Sequence, residues 1–122
     1  MDFYDNKPIY LQLADQIMDD VHTGSAEGGG RLPSVREYAA RSGVNANTVM
    51  RTYTHLQQEG VIFNRRGIGY FYAEDAPEKV KAMRLKQLLD KEIYHFMDRL
   101  IASGISPDEF KKIYTEYIVS RQ

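Results

Sequence analysis

Residues 34–60 run SVREYAARSGVNANTVMRTYTHLQQEG, and the fold follows from this stretch. Ser34 with Glu37 three residues on has the form of a capping box, in which each side chain takes the other residue's backbone N–H. A helix therefore starts after Ser34, with Val35, Tyr38 and Ala39 on its inner face, and Gly43 stops it after about two turns. Asn45 caps the next helix, from Ala46 to about Glu59, whose inward residues are Val49, Tyr53 and Leu56. Gly60 sits where a left-handed residue ends a helix. Two helices joined by a tight turn at Ser42-Gly43-Val44 form a helix-turn-helix.

Downstream, Val61-Ile62-Phe63 and Tyr70-Phe71-Tyr72 are short strand-like runs around the basic, glycine-containing loop Asn64-Arg65-Arg66-Gly67-Ile68-Gly69. That pattern predicts a β-hairpin, and a hairpin directly after a helix-turn-helix makes a winged helix. Upstream, Pro8 opens a segment in which Ile9, Leu13, Ile17 and Val21 recur every four residues, with Tyr10, Ala14 and Met18 beside them. This predicts an amphipathic helix of about four turns, stopped at Gly24. Ser25-Ala26-Glu27-Gly28-Gly29-Gly30 is expected to be loop. No Gly-Lys-Ser/Thr follows its glycines and no strand precedes them, which argues against a nucleotide cradle.

The polar stretch Ala73-Glu74-Asp75-Ala76-Pro77 suggests a boundary, with residues 1–75 forming the winged helix and 76–122 a tail. Residues 78–102 form one long helical segment in which Leu89, Ile93, Phe96 and Leu100 are spaced +4, +3, +4, a single apolar seam. Gly104 breaks it. Ser106-Pro107-Asp108-Glu109 then opens a final helix with an N-cap, a proline at the first helical position and a second capping box. Its apolar face is Phe110, Ile113, Tyr114, Tyr117 and Ile118. The expected fold class is mainly α (α+β), an N-terminal winged helix-turn-helix with a β-hairpin wing followed by a C-terminal helical hairpin. Two helices cannot bury all these side chains between themselves. Either the same chain's head covers them or a second copy does. The linker and the long helix favour a homodimer through Leu89, Ile93, Phe96, Leu100, Ile113 and Tyr117.

Bulk properties narrow the function. The 122-residue chain has no cysteine, which excludes disulfides, thiolate metal sites and cysteine nucleophiles. No apolar run approaches the ~18 residues of a membrane span. The acidic start Met1-Asp2-Phe3-Tyr4-Asp5 is unlike a signal peptide, so a cytoplasmic location is expected. His22, His55 and His95 are isolated, with no metal spacing, and no Ser/His/Asp pattern stands out. Neither an enzyme nor a cofactor or metal site is therefore expected; His55 is placed toward solvent or a phosphate. The net charge of −1 conceals an uneven distribution. Residues 31–66 hold six arginines against Glu37 and Glu59, a local +4 that leaves −5 to the remainder. DNA binding requires a local basic face, not a basic chain. On charge alone, a solvated arginine-rich surface is an equal alternative.

The ordered set Pro8-Ile9-Tyr10, Gln12-Leu13, Arg31-Leu32-Pro33-Ser34-Val35-Arg36, Gly43-Val44-Asn45, Asn47-Thr48-Val49, Tyr53, Leu56, Gly60 and Arg66-Gly67-Ile68-Gly69-Tyr70-Phe71 resembles the DNA-binding domain of the GntR family. The short two-helix tail resembles its YtrA subfamily. The resemblance implies a dimeric DNA-binding regulator, typically a repressor, on an inverted-repeat operator in double-stranded DNA. It also implies that Arg36 contacts DNA and that the wing tip, Arg65, Arg66 and Gly67, approaches the minor groove. The third helix would enter the major groove, where Asn47 can pair bidentately with adenine and Arg51 can reach guanine or a phosphate. For Asn45 and Thr48, local bonding and DNA contact stand level. Ser34 and the N–H groups beside it could bind phosphate. Ala46 departs from family members that carry a base-reading arginine there, so the family's base pattern does not transfer whole. A winged helix serving as a protein-interaction module is the alternative. Aromatic residues such as Tyr94, Phe96, Tyr114 and Tyr117 suit packing better than an effector cleft, and no small-molecule effector is identified.

Overall fold

The computed structural model describes residues 7–122, so the acidic start lies outside the described residues. The elements are α1 (Ile9–Thr23), α2 (Val35–Ser42), α3 (Ala46–Gln58), β1 (Ile62–Arg65), β2 (Gly69–Tyr72), α4 (Ala76–Gln87), a π turn (Leu88–Glu92), α5 (Ile93–Ala102) and α6 (Pro107–Ser120). β1 and β2 are antiparallel, with Ile62 opposite Tyr72 and Arg65 opposite Gly69. The elements fall into two compact units, the first extending to Arg84 and the second Leu85–Gln122.

The first unit is built on the apolar periodicity of α1 and α3. Leu13, Ala14, Ile17, Met18 and Val21 of α1 are buried against Val49, Tyr53 and Leu56 of α3, with Val61, Ile62 and Tyr72 from the hairpin and Leu32 closing the cluster. Ile9, in the first turn of α1, is exposed. Two polar groups are carried into this core with partners. The Thr52 hydroxyl lies within reach of the Tyr10 carbonyl at 2.9 Å and the Thr48 carbonyl at 3.1 Å. The Tyr53 hydroxyl donates to the Pro33 carbonyl at 2.7 Å. Tyr53 also packs edge-on against Tyr70, with ring centroids 4.8 Å apart.

Two features differ from the sequence-based expectation. Residues 29–32 lie alongside β2: Gly29 N–H donates to the Tyr72 carbonyl at 2.9 Å, Tyr72 N–H to the Gly30 carbonyl at 2.8 Å, and Leu32 N–H to the Tyr70 carbonyl at 2.9 Å. An antiparallel bridge pairs Arg31 with Phe71. The loop thus ends as a third extended segment of the wing. The first unit also continues past the boundary expected after Asp75, because Ala76 and Val80 of α4 are buried in its core. Arg84 fastens the same helix to α1, donating to Asp19 Oδ1 at 2.6 Å and to the Asp15 carbonyl at 3.2 Å.

In the second unit, the expected uninterrupted helix contains the π turn at Leu88–Glu92, where Ile93 N–H reaches back five residues to the Leu88 carbonyl. No glycine or proline lies in that turn. The wider turn alters the angular step between Leu89 and Ile93, so the seam is not a plain α-helical stripe. Ser106 and Glu109 form the predicted capping box, at 3.1 and 3.3 Å. Phe96 meets Phe110 edge-on at 6.1 Å.

Replacing Tyr53 with Phe leaves the Pro33 carbonyl without its donor and should lower unfolding stability by about 1–2 kcal/mol, measured by urea denaturation. Alkaline stability is a second test. Burial, followed by the Asp20 charge, pushes the Tyr72 phenol up to about 12. Burial likewise raises Tyr53 and Tyr38. The folded chain therefore keeps protons that the unfolded chain releases near the usual 10.0. This contribution is full below pH 10 and is lost as pH climbs toward about 12. Melts across that window should show a steep fall, and Tyr72→Phe should make it shallower. An equal slope in wild type and variant would contradict this assignment.

Candidate nucleic-acid interface

The start of α2 is fixed by its cap. Ser34 Oγ accepts from Glu37 N–H at 3.1 Å, and Ser34 N–H donates to Glu37 Oε1 at 3.3 Å. The backbone hydrogen bond from Ser34, then that to its hydroxyl, holds the Glu37 carboxyl below its usual range. Glu37 stays charged in the first turn, with Arg41 Nη2 4.0 Å away. The acid nearest Arg36 in sequence is thus engaged elsewhere. Among the described residues Arg36 makes no ion pair, and it is exposed. The Ser34 hydroxyl is committed to the cap, so a phosphate at this helix start would be met by backbone N–H groups.

At the start of α3, Asn45 Oδ1 accepts from Asn47 N–H at 2.7 Å, the capping role considered for it. Its amide NH2 is the part left to serve DNA. Ala46, Asn47 and Met50 are exposed, whereas Val49, Tyr53 and Leu56 on the opposite side are fully buried. Thr48 is half-buried. Arg51 is exposed but not loose: its guanidinium lies over the Tyr10 ring, 4.0 Å from the centroid. That ring also meets His55, edge-on at 6.1 Å. His55, expected toward solvent or a phosphate, is half-buried and packs on α1 instead. Arg51 thus acts from a fixed station at the α1–α3 junction. Tyr10, which sequence reading assigned only to the stripe of α1, provides that station.

The wing places Phe63 and Phe71 on one face, stacked with centroids 5.8 Å apart. Arg65 leans over them at 5.8 and 5.3 Å. Arg66 and Gly67 are exposed at the turn, which Ile68 N–H closes on the Arg65 carbonyl at 2.9 Å. Gly67 has φ +79°, a conformation that favours glycine. The structure therefore brings Ser34, Arg36, Asn45, Asn47, Thr48, Arg51, Arg65, Arg66 and Gly67 into one compact unit, on α2, α3 and the wing. It adds Arg31, whose guanidinium donates to the Ile68 carbonyl at 3.1 Å. That contact spans 37 positions and has no local sequence signature.

Comparison with known proteins agrees with the winged-helix fold. The profile of the family described as bacterial regulatory proteins, gntR family, matches residues 9–71. The chain is 40% identical over 118 residues to YhcF, an HTH-type transcriptional regulator of Bacillus subtilis, covering 93% of this chain and 95% of YhcF. It is 41% identical over 69 residues to the transcriptional repressor YtrA of the same organism, a match covering 57% of this chain and 53% of YtrA. A solved GntR-family regulator from Bacteroides thetaiotaomicron has a TM-score of 0.82 at 48% identity, over 93% of this chain and 99% of that one.

Arg36→Ala should leave the melting temperature unchanged, since the side chain is exposed and without an ion pair among the described residues. Fluorescence anisotropy with cognate DNA should show a loss of ~1–3 kcal/mol. Undiminished binding by the folded variant would remove Arg36 from the interface.

Proposed function

The chain belongs to the GntR family of bacterial regulatory proteins, and from that premise we propose that it is a homodimeric repressor that occupies an inverted-repeat operator. As a member of that family it is a DNA-binding transcriptional regulator and not an enzyme. In the proposed mode, α3 lies in the major groove with Asn47 at the base edges. Arg36 and the N-terminus of α2 meet the backbone or a guanine, and the Arg65-Arg66-Gly67 turn approaches the minor groove. Asn45, Thr48 and Arg51 support that docking from the rim. Ala46 offers at most a methyl contact to thymine, so base discrimination rests on Asn47 and the arginines.

The observation that carries the dimer is the uncovered surface of the tail. No side chain of α5 or α6 is buried. Ile101 is 76% exposed, Val119 63% and Tyr117 61%. Apolar side chains left in water on two adjacent helices favour a second copy as their cover. Leu89, Ile93, Phe96, Leu100, Ile113 and Tyr117 form the proposed interface. Dimerisation would also supply the two-fold symmetry that an inverted repeat requires. Repression is supported by the likeness to YtrA, a transcriptional repressor. A repressor of this kind works by blocking a promoter, and the place for that is the cytoplasm. Among the described residues no helix is long and apolar enough to cross a membrane.

The Ile93→Glu, Phe96→Glu double variant tests the assembly. Size-exclusion with light scattering should return the mass of one chain, against two for the wild type, and operator affinity should fall sharply. A variant that stays dimeric would move the interface away from this seam.

A further inference from the structure

We propose that Arg31, on the extended segment alongside β2 and outside the β1–β2 hairpin, is the positioning residue that fixes the wing tip for DNA binding. The inference rests on the reading that the wing touches DNA. Three observations carry it. Arg31 Nη2 donates to the Ile68 carbonyl at 3.1 Å, directly beyond the Arg66-Gly67 turn. The guanidinium lies against Gly69, where a Cβ would stand 3.2 Å from Nε and 3.3 Å from Nη2. Gly69 itself has φ +143°, within the region that favours glycine. The backbone of Arg31 is in turn held to β2 by its bridge to Phe71 and by the Leu32–Tyr70 hydrogen bond.

These contacts give Arg31 a particular task. The wing is a two-stranded hairpin of four residues a side, an element marginal by itself. Its tip carries Arg65, Arg66 and Gly67, and Arg31 tethers that tip from outside the hairpin through its hydrogen bond to Ile68. Three residues after Arg31 comes Ser34, the cap of α2. A planar guanidinium that donates to the turn and lies against Gly69 therefore ties the tip to the helix that carries Arg36. Loss of the guanidinium would leave both hairpin strands paired while the tip wanders relative to α2. A lysine there would keep the charge but not the planar fork.

The test uses the full chain with Arg31→Met, which keeps the aliphatic stem and deletes the guanidinium, and with Arg66→Ala, singly and combined. The DNA probe is a fluorescent duplex that the wild-type protein has enriched from a random pool. Without DNA, ¹⁵N relaxation should show residues 66–68 more mobile in Arg31→Met, with an unchanged unfolding midpoint. With DNA, Arg31→Met should weaken binding roughly tenfold. In the Arg66→Ala background that loss should shrink to about twofold or less, because a residue that acts through the tip has nothing left to position. Unchanged relaxation at 66–68 would overturn the proposal. So would an undiminished loss in the Arg66→Ala background, which would make Arg31 an independent phosphate contact. Failure of the wild type to enrich any duplex would instead overturn the underlying DNA reading, while the relaxation data still report on the tether.

Discussion

A phenol carried to the centre of an apolar cluster must find an acceptor, because a buried unpaired hydroxyl costs roughly 1–3 kcal/mol. Tyr53 is fully buried, and it finds the Pro33 carbonyl at 2.7 Å. That single bond links α3 to the segment that opens α2, one residue before the Ser34 cap. The Tyr53 ring also meets Tyr38 of α2 and Tyr70 of β2, with centroids 6.1 and 4.8 Å away. One side chain thus sets α2, α3 and the wing against each other. Each of those elements carries part of the proposed DNA-facing surface, so that surface is only as well defined as the seat of Tyr53.

The rest of the head extends that logic. Where the proposed DNA-facing side chains are long, the fold holds several of them at a fixed station. Arg51 is laid on Tyr10 and Arg65 on the stacked Phe63–Phe71 pair, while Arg31, on Gly69 and the Ile68 carbonyl, is committed to the wing tip. A guanidinium already held in place loses less freedom when it meets a phosphate or a base. Arg36 is different, exposed and without an ion pair among the described residues. Its neighbour Glu37 is kept charged and occupied by the Ser34 cap and Arg41. The local +4 of residues 31–66 is thereby delivered as a set of oriented groups, against a chain whose net charge is −1.

The features legible in sequence were those encoded within a few residues. The Ser34–Glu37 and Ser106–Glu109 boxes, the Asn45 cap and the left-handed glycines at 24, 43 and 60 fixed helix ends because capping is local chemistry. Four-residue periodicity found Leu13, Ile17, Val49, Tyr53 and Leu56 for the same reason. What escaped depends on distant partners. Residues 29–32 show no alternation of their own and become extended only because β2 offers them hydrogen bonds. Ala76 and Val80 belong to the head by burial, although Ala76 lies within a polar, proline-containing stretch and Val80 just after it. The stacking of Arg51 on Tyr10 joins residues 41 positions apart, and the π turn at Leu88–Glu92 follows no glycine or proline. Nine candidates for DNA contact could be named from sequence, but how far each is committed to the fold required the geometry.

The central claim is that two copies of one preorganised head read a symmetric site. Selection of bound duplexes from a random pool by the wild-type chain measures this directly, since it reports affinity, symmetry and spacing at once. The account predicts an enriched inverted repeat whose half-site centres lie about one helical turn apart. Enrichment of a single asymmetric half-site, or no enrichment over input DNA, would contradict it.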